Sequence, residues 1–285
     1  CDPGGAGRSP WADRGHLGWV GRRCPPRRSC AADSWTTCSR ADSDLATAPL
    51  PYHHFSVVMQ RKRKLALLTA VNIDGAQADQ PRRDSDRWIL DPRIPVSEQT
   101  GEDVYRDNDL DRGHLVRRLD PAWGPKSAAA VDDTFHFTNC APQHWRFNRR
   151  REFWQGIEVY ILDNTEVHDL RISLFTGPVL AEDDPEMEGT QVPRDYWKVV
   201  AMRKRDGTLA AAAYVLSQGE LLKVRAEEFV FGEYKAFQVR VSELEERTGL
   251  NFGELRDHDS FARLRAAGVP FISVLSDPTT GGVFA

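Results

Sequence analysis

The stretch from Asp195 to Ser217 admits few folds. Two apolar runs, Tyr196–Met202 and Leu209–Leu216, flank the polar connection Arg203–Thr208, which contains Asp206-Gly207. An Asp-Gly pair between two such runs is a tight-turn signal for antiparallel strands. The alanines Ala210–Ala213 taken alone favour a helix, but the hairpin setting argues for a strand. The runs Phe55–Met59 and Leu65–Val71 around Gln60–Lys64 predict a second hairpin, and residues 169–180 predict a strand ending at Gly177-Pro178. In the segment 241–250, Ser242 and Glu245 have the spacing of a capping box and Gly249 that of a helix stop, which predicts a helix. Antiparallel strand pairs mixed with helices predict an α+β fold rather than a doubly wound parallel sheet.

Length and charge narrow the function classes. The 285 residues are enough for one large domain or two ordinary ones, and 40% apolar with 28% charged residues suits a globular protein. The longest apolar run, Leu209–Leu216, falls far short of the roughly 20 apolar residues that cross a bilayer, so no membrane role is expected. The net charge is −4, yet residues 1–40 carry seven Arg against three Asp, so the remaining chain is distinctly acidic. Such a body repels nucleic acid on average, and a phosphate partner needs local cations or a metal. Basic clusters occur at Arg61–Lys64, Arg117-Arg118, Arg149–Arg151 and Arg203–Arg205. Residues 1–48 are rich in Gly, Pro, Arg and Ser, show no sustained apolar period and hold four of the five cysteines. They read as a disordered or accessory segment, with order expected from near Tyr52 and a single domain over residues 49–285. No secretory signal core is visible.

Asp-Arg-Gly-His occurs twice, ending at His16 and at His114. Only the second copy has a structured context. Downstream of it, Phe135, Phe137 and Asn139 are expected on one face of a strand and His136, Thr138 and Cys140 on the other, with Pro142 ending the strand. A helix is expected from about Asn148, carrying Phe153, Trp154, Ile157, Val159 and Ile161. A histidine loop, a strand and a helix in this order suit phosphodiester hydrolysis. Imidazole can deprotonate water near neutral pH. A hydrated Mg²⁺ held by a neutral Asn carbonyl offers positive charge to the transition state, and a Glu further along the helix can hold its waters.

The ordered set Asp111–Val116 (DRGHLV), Thr138–Gln143 (TNCAPQ), Asn148 and Trp154–Glu158 (WQGIE) resembles the DNA/RNA non-specific endonuclease family, the ββα-metal nucleases that include the endonuclease G-like enzymes. Asn139 and Asn148 are nine apart, and Trp154 precedes Glu158 by four, as in the family pattern. Between Asn148 and Trp154 the chain is slightly longer than some relatives. Further similarity lies in RWILDPRI, FTGPV, DYWKVV and RTGLNF, so the resemblance covers about residues 50–255. It implies a ββα-metal fold with a mainly antiparallel sheet flanked by helices. It also implies an Mg²⁺-dependent activity, with Mn²⁺ as a substitute, that cuts DNA and RNA to leave 5′-phosphate and 3′-hydroxyl ends.

The same resemblance assigns roles. His114 becomes the general base, Asn148 the one direct metal ligand, Glu158 a partner of the metal waters, and Asn139 a hydrogen-bonding group of the site. Relatives place a phosphate-binding Arg just before the Trp of a W-x-x-D-P segment. Here Trp88, Asp91 and Pro92 fit that segment, Asp86 takes the expected Arg place and Arg87 follows it. Arg87 is therefore the choice, with Arg83 in reserve. Arg112, Arg117 and Arg149 are assigned to substrate phosphates and Asp111 to support, although Asp111 and Arg112 can equally serve to fix the histidine loop. A homodimer, a protein inhibitor and a secreted or periplasmic setting are compatible with the resemblance.

Rival readings are a catalytically inactive binding module on the same fold and a zinc-stabilised domain. His136, Cys140 and His144 are spaced by four, which would align ligands on a helix, but Pro142 and the β-like pattern oppose a helix there. Asp257, His258 and Asp259 read as a solvated loop.

Overall fold

The computed structural model describes residues 46–82, 86–151, 153–204, 206–223 and 237–261. His16, the four N-terminal cysteines and Arg83 lie outside them. The strands in chain order are β1 (Leu50–Pro51), β2 (Phe55–Gln60), β3 (Leu65–Asp74), β4 (Leu110–His114), β5 (Cys140–His144) and β6 (Arg171–Val179). They continue with β7 (Glu186–Met187), β8 (Thr190–Gln191), β9 (Asp195–Arg203), β10 (Leu209–Ser217) and β11 (Phe237–Val239). The α-helices are α1 (Ser127–Asp133), α2 (Trp145–Arg149), α3 (Trp154–Val167), α4 (Gly219–Lys223) and α5 (Val241–Thr248).

Seven strands form one sheet in the order β1-β2-β3-β6-β9-β10-β11, and every neighbouring pair is antiparallel. Both hairpins read from the sequence are present. The β9–β10 ladder runs without a break from Asp195 opposite Ser217 to Arg203 opposite Leu209. Its turn needs Gly207, whose φ of 83° is readily reached only without a Cβ.

The alanine run forms a strand because the sheet is covered on both sides. On one face Ile172, Leu174, Tyr196, Val200, Ala212 and Tyr214 pack with Trp154, Ile157 and Ile161 of α3. On the other, Phe175, Trp197, Val199, Ala211 and Ala213 pack with Val241, Leu244 and Phe252. A doubly covered strand reads as a continuous apolar run rather than as an alternation.

Four local expectations are corrected. Strand β6 continues through Gly177-Pro178 to Val179, with Pro178 opposite Tyr196. Its pairing with β3 ends at Thr176, so the N–H that proline lacks has no ladder acceptor on that side. The capping box does not form: Arg240 caps α5 without a side-chain bond, the Asp259 carboxylate accepts from Val241 N at 2.8 Å, and Glu245 Oε1 accepts from Phe252 N at 2.7 Å. Asp259 is accordingly buried rather than solvated. Finally, the residues from Phe137 to Asn139 form a 3₁₀ turn, and the strand begins at Cys140 and includes Pro142, which lies opposite Arg112.

Candidate active site

Strands β4 and β5 form a separate two-stranded ribbon in which His114 lies opposite Cys140 and Asp111 opposite Gln143. The chain then enters α2, where the His144 ring caps the helix by accepting at Nδ1 from Arg146 N at 3.2 Å. Burial pushes the His144 imidazole below its usual range, in keeping with its service as a neutral acceptor. Helix α2 stops at Arg149, and α3 starts afresh at Trp154. Asn148 therefore sits in the last turn of a short helix, not at the start of the long one as the spacing suggests.

Gly113 explains why the ribbon needs a residue without a side chain inside the DRGH motif. A Cβ there would come within 2.1 Å of Gln143 Oε1 and 2.3 Å of its Cδ. Gln143 is fully buried, so it has little room to retreat. Gly113→Ala is expected to cost about 1–3 kcal/mol of stability, the usual range for overpacking, read as a lowered urea midpoint. A midpoint equal to that of the parent protein would show that the ribbon absorbs the methyl group.

The His114 ring lies 4.8 Å from the Trp88 ring and 5.2 Å from that of Phe135, the latter edge-on. Its backbone is fixed from several sides. Its carbonyl accepts from Trp154 Nε1 at 3.3 Å, and Leu115 N donates to Asn139 O at 2.9 Å. Asn139 is fully buried. Its Oδ1 accepts from Val116 N at 3.0 Å, and its Nδ2 donates to Val116 O at 2.9 Å and Thr134 O at 3.0 Å. Asn139 is thus a staple for the loop after His114. These bonds all go to backbone, so the hydrogen bonding expected of Asn139 is spent on positioning the loop.

Asp111 organises the other side of the motif. It accepts from Asn148 Nδ2 at 2.9 Å and from Arg149 Nε at 2.7 Å, and a second guanidinium nitrogen of Arg149 bonds its other oxygen. Since an amide is planar, holding the Asn148 nitrogen on Asp111 directs its oxygen away from that carboxylate. Arg112 is tied to Glu102, with Nε donating at 3.0 Å, and its guanidinium lies over the Tyr105 ring at 5.8 Å. Its contacts support the loop-fixing alternative over substrate binding. Arg117 donates its backbone N–H to Asp120 Oδ2 at 3.0 Å.

Glu158 points inward from α3. Its side chain is 9% exposed, and its Oε1 is 3.6 Å from Nζ of the fully buried Lys198. Burial pushes the Glu158 carboxyl up to about 7, a rise that Lys198 opposes and Asp120 adds to. Burial likewise raises Asp120 and lowers Lys198, each against the attraction of the opposite charge. Sequence reasoning does not single out Lys198 or Asp120. The signal for Lys198 is a lone cation between Tyr196 and Val200, two inward positions of a buried strand.

Trp88 is held by the segment that follows it. Asp91 accepts from Tyr52 Oη, from Arg93 N at 2.9 Å and from Arg93 Nε at 2.9 and 3.1 Å, while Asp91 N donates to Gln99 Oε1 at 2.8 Å. Burial alone would raise the Asp91 carboxyl, but the bonds from Arg93 and Tyr52 hold it at about 2, below its ordinary 3.8. A carboxylate depressed on folding stabilises the protein above its unfolded value and loses that contribution as pH falls through its folded value. Urea midpoints are therefore expected to fall between about pH 4 and pH 2 through this group, and Asp91→Asn should flatten that part of the profile. Parallel profiles for the two proteins would remove Asp91 from the acid transition. Arg87, beside Trp88, is exposed.

The four-spaced residues considered for zinc are engaged separately. His136 Nδ1 is 2.9 Å from Asp133 O, Cys140 Sγ donates to Tyr105 Oη at 3.4 Å, and His144 caps α2. Among the described residues no three His, Cys, Asp or Glu side chains gather as a metal site. The donor set around Asn148 fits instead a hard divalent ion held largely through water, because Asn148, its nitrogen held by Asp111, presents one neutral amide oxygen. No described helix is long and apolar enough to cross a membrane.

Residues 40–258 match the model of the DNA/RNA non-specific endonuclease family. Uncharacterized protein y4fB of Sinorhizobium fredii is 42% identical over 221 residues, which make up 72% of this chain and 33% of that protein. Mitochondrial endonuclease G of Bos taurus is 27% identical over 161 residues, covering 52% of this chain and 49% of the enzyme. The Homo sapiens protein of the same name is 26% identical over 189 residues, 62% of this chain and 59% of its own length. The chain thus spans less than two thirds of each of these relatives. A chain of the EndoG/EndoGI complex superposes with a TM-score of 0.57 at 19% identity, covering 73% of this chain and 86% of that one, which supports the α+β fold. With the family pattern matched across most of its length, the chain belongs to the DNA/RNA non-specific endonuclease family.

Proposed function

We propose that the chain is an Mg²⁺-dependent endonuclease that hydrolyses phosphodiester bonds in DNA and RNA. The observation that carries this reading is that one short strand, β4, ends on His114 and also holds the Asn148 amide through Asp111. His114 accepts a proton from a water molecule as the water oxygen attacks phosphorus. The bond from phosphorus to the 3′ oxygen breaks, and that oxygen takes a proton from solvent. The products carry 5′-phosphate and 3′-hydroxyl ends.

Asn148 Oδ1 would hold the metal, with Asp111 fixing the amide so that this oxygen is presented. A hydrated Mg²⁺ bound there supplies positive charge to the transition state and to the departing oxygen. Glu158 is assigned to the waters of that ion. Arg87, Arg117 and Arg149 are assigned to backbone phosphates, Arg149 while paired with Asp111. Contacts of this kind carry no base information, which accounts for tolerance of both sugar and sequence. Supercoiled plasmid and a structured RNA incubated with the protein, with Mg²⁺ or with EDTA, test the reading. Cleavage of both that EDTA abolishes is expected. Binding without cleavage at any metal concentration would favour the inactive module.

A further inference from the structure

A fully buried cation lies beneath the site, and nothing in the proposed chemistry uses it. Strand β9 alternates Tyr196, Lys198 and Val200 toward the face covered by α3, so a lysine occupies a position where its neighbours are core residues. Burying an ammonium is costly unless it is paired and hydrogen-bonded. Its Nζ donates to Leu115 O at 3.4 Å and to Thr176 Oγ1 at 3.3 Å, lies 3.6 Å from Glu158 Oε1, and sits 4.4 Å from the centre of the Trp154 ring. Three of these four partners belong to the site or touch it. Leu115 follows His114, Glu158 is the inward carboxylate, and the Trp154 indole donates to the carbonyl of His114.

We propose that Lys198 is a positioning residue that locks the Glu158 carboxylate of α3 to the backbone of the His114 loop. The sheet is the rigid reference. Strand β9 is paired on both sides, with β6 and β10, so its lysine fixes the distance between two groups that come from different elements, α3 and the end of β4. Hydrophobic packing alone leaves the carboxylate of Glu158 free to rotate, and the ion pair with Lys198 Nζ at 3.6 Å restrains it. The metal waters assigned to Glu158 and the proton transfer assigned to His114 then share one anchor.

The activity arm of this inference rests on the endonuclease reading, and the stability arm does not. Lys198→Met keeps the length and apolar stem of the side chain and removes the charge. It is expected to lower kcat about 10–100-fold, the usual cost of losing a residue that orients a metal-binding group, while KM for plasmid DNA stays within about 3-fold because no phosphate contact is lost. In the Glu158→Gln background the same change should add little to the kcat deficit, since residues acting as a unit are not additive.

Urea midpoints of the four proteins provide a readout without metal or substrate. Each single substitution should lower the midpoint, and the double variant should recover part of the loss, because it leaves neither charge buried alone. If Lys198→Met fails to fold, Thr176→Val, which removes a bond to Nζ and no charge, should lower kcat several-fold at constant KM. Equal kcat losses from Lys198→Met in both backgrounds together with additive midpoints, or an unchanged kcat in folded Lys198→Met or Thr176→Val, would overturn the proposal. An inactive parent protein with a non-additive midpoint cycle would sink the endonuclease reading and leave the link between Lys198 and Glu158 standing.

Discussion

His114→Ala is expected to lower plasmid turnover by about 10²–10⁴-fold, the contribution of a positioned general base, while the protein remains folded. The separation of the two effects follows from how the residue is held. The contacts that fix the loop are made by backbone: the His114 carbonyl receives the Trp154 indole, and Leu115 N donates to Asn139. Alanine keeps all of them. What it loses is the imidazole and its ring contacts with Trp88 and Phe135, aromatic pairings worth about 0.5–1.5 kcal/mol each. Turnover measured with saturating Mg²⁺, beside a thermal melt, separates the outcomes. His16→Ala serves as the control, since no Asn-x-x-Pro-Gln run with a spaced Asn and Glu follows the first DRGH copy in the sequence as closely as one follows the second, and it should leave the rate unchanged. A folded His114→Ala protein with parental turnover would end the assignment of the base.

The large-scale fold was legible because its signals are local. Asp206-Gly207 between two apolar runs specifies a hairpin whatever surrounds it, and the nine-pair β9–β10 ladder is the result. The elements misread in the sequence are those decided by distant partners. Ser242 and Glu245 have capping-box spacing, yet Glu245 is drawn to Phe252 N and Asp259 caps the helix instead. Pro142 looks like a strand terminator, but in a two-stranded ribbon its missing N–H costs no second ladder. Its carbonyl is taken by Tyr196 Oη at 2.8 Å and Gln218 Nε2 at 3.2 Å.

The candidate site divides in the same way. His114, Asn148 and Asp111 could be read from one motif and its spacing, and the structure joins Asp111 to Asn148 directly. The groups beneath them could not. Lys198 comes from a strand far from the motif, and Asp120, although it follows His114 closely, belongs to no motif pattern; their relation to Glu158 exists only once β9 has packed under α3. Arg112 carries two readings in the sequence, a phosphate contact and support of the histidine loop, and its pairing with Glu102 from the preceding turn favours the second.

Asn148→Ala should raise the Mg²⁺ concentration for half-maximal cleavage and lower the maximal rate, each by more than the roughly 10–100-fold that loss of an outer-shell partner costs. The structure limits collateral damage, because Asp111 keeps its bonds to Arg149 and α2 stays anchored to β4 without the amide. Asn148→Asp is a different experiment. The Asn148 nitrogen donates to Asp111 Oδ2 at 2.9 Å, so aspartate places two carboxylates face to face where a hydrogen bond had been. Like charges at that separation disfavour the fully ionised pair. The Asp variant is thus expected to be less stable than the Ala variant in EDTA at neutral pH and to regain stability as divalent ion is added, since only the ion offsets the repulsion. Its maximal rate should stay below that of the parent protein, because an added negative charge beside the phosphate opposes transition-state stabilisation. Mg²⁺ and Mn²⁺ titrations of plasmid cleavage and of melting temperature, run on the three proteins, read all of these effects. Metal dependence in folded Asn148→Ala identical to that of the parent would remove Asn148 from the metal site, and with it the mechanism built on a single neutral ligand.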